Sequence, residues 1–319
     1  MADGWNWRDD RVPRVDGKRA IVTGAASGLG AAIAEALSVK GAAAVLADKD
    51  AKGAGSVAER IRSSVPGSAP SVHELDLADP VSIERFASWH GKEHATLDLL
   101  INNAGIMTPP YGKTVQGFES QFGVNHLGHF CLAYRLLPLL SATPGSRPVT
   151  QTSIVHRGGR INFRDISSER SCSPWKAYKQ SKLATLLLSR ELDRRLGALG
   201  IAAPLSIASH SGLVNTQLYR NRERMRRWPR PFMHGLDEGT MPALRAALDT
   251  MAKGGELYGP DGWMEFKGRA VLVHPHGQGK NLELVSKLWE LSEEMTGLDP
   301  SARLGGCEYA VLKPTEKGQ

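Results

Sequence analysis

The chain has 319 residues, 41% hydrophobic and 23% charged, with a formal net charge of +7. That length allows one large domain or two small ones, and the near-average composition excludes disordered and fibrous classes. Cys131, Cys172 and Cys307 stand far apart with no C-x-x-C spacing, so neither a secreted disulfide framework nor a zinc site is expected, and a reducing cytoplasm is the expected compartment.

The positive charge draws in anions, phosphates and nucleotides included, without choosing among them. The first twenty residues mix acids, bases and tryptophans with no apolar run, which argues against a secretory signal. The best apolar stretch, Phe130 to Leu140, carries Arg135 and Pro138 and is about half of the ~20 residues a membrane span needs.

From residue 19 onward, short β-rich apolar runs alternate with helical periodicities, and this alternation predicts an α/β fold with a doubly wound parallel sheet of the Rossmann type. Candidate strands are Ala20–Val22, Ala42–Ala47, Val72–Leu75, Leu97–Ile101, Val149–Ser153, Leu205–Ala208 and Ala270–Val273. Candidate helices are Leu29–Lys40, Ala51–Ser64, Val81–His90, Phe118–Leu140, Trp175–Leu199, Gly239–Ala252 and Lys280–Thr296. No long linker divides the chain, so residues 1–319 read as one nucleotide-binding domain. Residues 213–268 fit the alternation worst and read as a substrate-loop or lid insertion within it.

The first chemical motif, Thr23-Gly24-Ala25-Ala26-Ser27-Gly28-Leu29-Gly30, follows a predicted strand and opens a predicted helix. Glycines let such a turn approach a pyrophosphate, and the free N–H groups at the helix start attract its charge. About twenty residues on, Asp48 ends the second strand, where a carboxylate accepts hydrogen bonds from an adenosine ribose and repels a 2′-phosphate. NAD is therefore the expected cofactor, while Lys49, one position on, keeps NADP open. Asp76 after the third strand and Asn102-Asn103-Ala104-Gly105 after the fourth fall at the carboxyl edge of the sheet, where ligands bind.

Tyr178 and Lys182 are four residues apart in a predicted helix, which puts both on one face. A cation about 4–5 Å from a phenol is worth roughly 3–4 kcal/mol at an effective dielectric near 20, enough to bring the phenol from near pH 10 towards a usable acid/base. Taken alone, the pair also fits a solvated helix face.

The order of these features resembles the short-chain dehydrogenase/reductase superfamily, from about Trp5 to about Leu298. Gln121-Phe122-Gly123-Val124-Asn125-His126-Leu127-Gly128-His129-Phe130, Gly159-Arg160-Ile161-Asn162-Phe163 and Ala177-Tyr178-Lys179-Gln180-Ser181-Lys182-Leu183-Ala184 are similar to the branch of retinol dehydrogenases, WW-domain oxidoreductases and protochlorophyllide reductases. The resemblance implies an alcohol–carbonyl oxidoreductase acting on a small-molecule substrate. Tyr178 would be the general acid/base, Lys182 would tune it and hold the nicotinamide ribose, and Ser153 would bind the substrate oxygen. Asn125 would hold a water linking Lys182 to solvent, and Thr216 would orient the carboxamide. Thr23, Gly24, Ser27, Gly28, Leu29 and Gly30 would cradle the phosphates. Asp48, Asp76, Leu77, Asn103, Ala104, Gly105 and Val214 would line the rest of the cofactor. The family commonly has Pro-Gly in place of Ser211-Gly212 and a second serine in place of Thr152, so a one-residue slip between Thr152 and Ser153 stays open. A catalytically idle nucleotide-binding scaffold of the same fold is the alternative.

The arginine-rich run 220–230 reads as a solvated lid, with contact to an acidic substrate the alternative; nucleic acid is not an expected partner. His126, His129, His274 and His276 lack carboxylates or cysteines at ligand spacing, so no metal is expected. Leu183, Leu186, Leu187, Leu188, Leu192 and Leu196 cover more than one face of the Tyr178 helix, which fits a homo-oligomer interface or deep burial within the monomer. Trp228, Phe232, Met233, Trp263 and Phe266 suggest a bulky, largely apolar substrate.

Overall fold

The computed structural model describes residues 12–170, 173–198, 200, 203–214 and 233–298. Its strands are β1 (Arg19–Thr23), β2 (Ala43–Asp48), β3 (Ser71–Glu74), β4 (Leu99–Asn102), β5 (Arg147–Gln151), β6 (Ile207–Ser209), β7 (Leu257–Pro260) and β8 (Ala270–Val273). They form one sheet in the order β3-β2-β1-β4-β5-β6-β7-β8. Every pairing is parallel except β7 with β8. Ile21 of β1 pairs with Val45 on one side and Leu100 on the other. Strand order therefore reverses between β1 and β4, and at such a switch point the flanking loops diverge and leave a crevice.

The helices are α1 (Gly28–Val39), α2 (Ala51–Ser64), α3 (Pro80–Glu93), α4 (Ser120–Phe122), α5 (His129–Ala142), α6 (Pro174–Ala198), α7 (Leu236–Leu248) and α8 (Leu282–Thr296). In α2 the buried residues Ala54, Val57, Ala58 and Ile61 repeat at the helical spacing that puts one apolar stripe on the sheet. Asp50 starts α2 by accepting a hydrogen bond from Gly53 N–H, and Asp79 does the same for α3 from Val81 N–H ahead of Pro80, both ordinary ways to satisfy the first-turn donors. α1, α2 and α7 cover one face of the sheet around Ile33, Leu37, Val57, Ile61 and Leu244. α3, α5 and α6 cover the other, and α8 packs outside α6.

Three expectations change in the folded chain. The predicted single helix Phe118–Leu140 is interrupted by a π-helical turn, Gly123–Gly128, between α4 and α5; such turns concentrate at functional sites. A strand not anticipated, β7, pairs with β6 and β8, its sequence obscured by Gly259 and Pro260. Residues 213–268 are not a lid throughout, because α7 and β7 lie in that span and are buried in the main core; residues 215–232 of it lie outside the described residues.

The leucines of α6 are all consumed inside one chain. Leu183 and Leu187 pack with Val285 and Leu288 of α8, Leu188, Leu192 and Leu196 with Phe130 and Trp289, and Leu186 with Ala208 and Leu257. Among the described residues, no helix is long and apolar enough to cross a membrane.

Candidate active site

β1 ends at Thr23, and the turn that follows approaches β4 so closely that only glycine fits. A Cβ on Gly24, whose φ is +69°, would stand 2.8 Å from Ala104 Cα. One on Gly30 would run into the Gly24 carbonyl and the Asn103 amide. Gly28 opens α1 with φ +56°, a backbone state that side chains resist. The turn is welded to the loop after β4: Thr23 Oγ1 accepts from Asn103 N–H and Ala104 N–H, each at 2.9 Å, and Asn103 Nδ2 donates to the Thr23 carbonyl at 2.8 Å.

Asp48 at the end of β2 accepts from Ala26 N–H at 2.9 Å and from Asp50 N–H at 3.0 Å. It braces the glycine-rich turn from the side, and Asp50 rather than Asp48 caps α2. Asp76 accepts from Ala78 N–H at 2.8 Å and so shapes the loop after β3, and Leu77 of that loop meets Gly128 of the π-helical turn so tightly that no Cβ fits there.

From the far side, α6 brings Tyr178 and Lys182 to the end of β5. Lys182 Nζ donates to the Gln151 carbonyl at 3.1 Å, and complete burial pushes its ammonium down to about 8, because a low-dielectric site penalises the charged form. Thr152 Oγ1 donates to the Lys182 carbonyl at 2.5 Å. Ser153 Oγ, by contrast, accepts only a long 3.5 Å contact from Val155 N–H and lines the cavity, so the hydroxyl available to a ligand is that of Ser153. His156 Nδ1 holds the Ser153 carbonyl at 2.7 Å.

Asn125 stands behind the wall, fully buried. Its Oδ1 accepts from Ile106 N–H at 2.8 Å, and its Nδ2 donates to the Ile106 carbonyl at 3.0 Å and to Ser181 Oγ at 2.9 Å. Its side chain thus joins the loop after β4 to the turn of α6 that carries Lys182. Between them lies Gly105, where a Cβ would be 3.2 Å from Asn125 Oδ1 and 3.4 Å from Lys182 Nζ.

A single cavity of about 450 Å³ collects these groups. It runs from Thr23, Gly24, Ser27, Gly28, Leu29 and Gly30 past Asp48, then past Asp76, Leu77, Asn103, Ala104 and Gly105, to Ser153, Tyr178, Lys182 and Val214. Of the residues expected from sequence, Asn125 lies just behind this wall, and Thr216 lies outside the described residues. Gln151 in the wall, and Ser181 and His129 against Asn125 behind it, were not anticipated; for His129 alone the i, i+4 spacing from Asn125 was a sequence signal. His126 and His129 are buried among side-chain and backbone partners, including Ser292, Thr23 and the Asn125 carbonyl.

The family model described as short chain dehydrogenase matches residues 18–227, and this chain belongs to that family. It is an oxidoreductase of the family acting on CH–OH donors. It is 37% identical over 291 residues to mouse retinol dehydrogenase 12, a match covering 89% of this chain and 88% of that one. A crystal structure of a protein from Mycobacterium paratuberculosis superposes with a TM-score of 0.78 at 37% identity, covering 93% of this chain and 98% of that one. A Shigella flexneri short chain dehydrogenase complexed with NADP shares the fold, with a TM-score of 0.63 at 22% identity over 76% of this chain and 96% of that one.

Proposed function

We propose that the chain interconverts an alcohol and a ketone or aldehyde with a nicotinamide cofactor, Tyr178 acting as general acid/base. The observation that carries this reading is the single cavity joining the glycine-rich turn after β1 to Ser153, Tyr178 and Lys182. The glycine-rich turn fits a dinucleotide: Gly24 and Gly30 let it close on itself and on the loop after β4, where side chains would clash, and it leads into the N-terminal donors of α1 beside the cavity. A bound nicotinamide would supply or accept the hydride.

The chain's own groups manage the proton. In reduction, Ser153 Oγ and Tyr178 Oη hydrogen-bond the carbonyl oxygen, and Tyr178 passes its proton to that oxygen as the C–H bond forms. The Lys182 ammonium, one helical turn away, stabilises the phenolate left behind, which then regains a proton through Lys182 and a water held near Asn125. Oxidation runs the same path in reverse.

Asp48 favours NAD, because a carboxylate there accepts ribose hydroxyls and repels a 2′-phosphate. The retinol dehydrogenase relatives support a bulky, largely apolar alcohol or carbonyl compound, retinoid-like in size; Trp263 and Phe266, edge to face at 5.4 Å, are not among the residues that line the cavity. The test is a fluorescence titration with NADH and NADPH, followed by turnover of bulky ketones, secondary alcohols and retinoids by the native chain and Tyr178→Phe. Tighter NADH binding with turnover reduced about 10²–10⁴-fold in the variant is the expected result. Cofactor binding with no Tyr178-dependent turnover across the panel would support the idle scaffold instead.

A further inference from the structure

His129 of α5 sits one helical turn beyond Asn125 with no exposure to solvent to speak of, and both its ring nitrogens are engaged. Nδ1 lies 2.9 Å from the Asn125 carbonyl oxygen, and Nε2 lies 3.0 Å from Thr23 Oγ1. A carbonyl oxygen can only accept, so Nδ1 must carry the proton. In the neutral ring Nε2 is then an acceptor. Thr23 Oγ1 already accepts from Asn103 N–H and Ala104 N–H and has no lone pair left for a third donor, so its own proton faces two acceptors, His129 Nε2 at 3.0 Å and the Ile101 carbonyl at 3.2 Å, of which the ring nitrogen is the nearer.

The result is a chain of hydrogen bonds with one direction, from the backbone after β4, through Thr23 and His129, to the Asn125 carbonyl in the π-helical turn. Such chains polarise their members. The Asn125 side chain has its amide protons and its oxygen committed to Ile106 and Ser181. With both amide protons spent, Asn125 offers a water serving Lys182 only acceptors, and of these the main-chain carbonyl is the atom His129 also holds.

We propose that His129 is a positioning residue for the reaction, locked as the neutral Nδ1–H tautomer, which fixes the Asn125 carbonyl for proton return to Lys182 and ties that carbonyl to the cofactor turn through Thr23. The inference rests on the proposed Tyr178–Lys182 chemistry. The titratable groups that face His129 are Lys182 from α6 and His126 from the π-helical turn, and the ring's burial together with Lys182 pushes its pKa down to about 4, so it stays neutral through the working range.

The test compares His129→Phe, which keeps the bulk and removes both hydrogen bonds, with His129→Gln, which keeps one donor and one acceptor. The Phe variant is expected to lose at least tenfold in kcat with KM for the carbonyl substrate within twofold, and to gain a larger solvent deuterium isotope effect as proton return becomes limiting. The Gln variant is expected within about threefold of native in kcat. A Phe variant with lowered thermal stability but native kcat and isotope effect would mean that His129 only packs the core, and would overturn the proposal. If the Phe variant does not fold, ¹⁵N NMR of the native chain decides: an Nδ1–H ring that does not titrate between pH 5 and 8 is expected, and an Nε2–H ring or a titration near pH 6.5 overturns the assignment. Tyr178→Phe run alongside separates the two readings, since turnover retained there removes the proposed reaction while leaving the tautomer result to stand by itself.

Discussion

Between β1 and β4 the cavity wall is largely backbone, whereas from β5 onward it is made of side chains delivered from distant segments. On the first side, glycines and short loops set the shape within a few residues of each strand end, and Asp48 and Asp76 brace neighbouring N–H groups. On the second, Lys182 reaches Gln151 across 31 positions, and behind that wall His210 reaches Glu265 across 55, with a half-buried Arg157 completing the cluster. A change on the first side should therefore act on cofactor affinity, and one on the second on turnover and on the integrity of the fold.

The largest effect expected on the turnover side is that of Lys182→Met, which removes the cation beside Tyr178: kcat should fall by about 10²–10⁴ while NADH still quenches fluorescence on binding. In the native chain the ammonium, already pushed down to about 8 by burial, is lost as pH rises, so kcat/KM for reduction should decline above about pH 8. A profile flat to pH 9.5 would contradict this. On the cofactor side, Gly30→Val drives a side chain into the Gly24 carbonyl and the Asn103 amide. Strain of about 1–3 kcal/mol should raise the NADH dissociation constant roughly 10–100-fold, and an unchanged titration would show that the cradle yields.

Asp48→Asn sharpens the comparison further, because it removes the charge while keeping a side-chain oxygen that can accept from Ala26 N–H. The NADH-to-NADPH affinity ratio should move towards NADPH by about tenfold, equal to ~1.4 kcal/mol, with kcat on the preferred substrate nearly constant. Equal affinities in both proteins would assign Asp48 to bracing the turn alone.

The remaining effect lies outside both sides and concerns stability in acid. Burial pushes His126 down to about 3 and His129 and His156 down to about 4, from an ordinary 6.5. Each ring is neutral when folded and takes up a proton when unfolded, so its stabilising contribution is complete above about pH 6.5 and is lost as pH falls towards 4. The slope is at most ~1.4 kcal/mol per pH unit for each ring. The urea midpoint should drop steadily from pH 7 to 4.5, and His126→Gln should flatten part of that drop.

Much of the site was legible in the sequence because its chemistry is local. A glycine-rich turn between a strand and a helix, an acid at the next strand end, and a Tyr and Lys four apart on one helix each declare themselves within about eight residues. β7 did not, because Gly259 and Pro260 hide a strand whose place depends on β6 and β8. The leucines of α6 pointed to two buried faces without saying what buried them; α5, α6 and α8 pack so that one chain covers both.

The sequence by itself determined the fold class, the family resemblance and the residue types at each strand end, since backbone preference and apolar periodicity act over a few positions. Only the tertiary structure decided which hydroxyl, Thr152 or Ser153, is left for a ligand, that Asn125 spends its side chain on Ile106 and Ser181, and that His129 joins Thr23 to the Asn125 carbonyl. Those contacts link segments up to 106 positions apart, and their partners are set by strand order and helix packing, which no local pattern encodes.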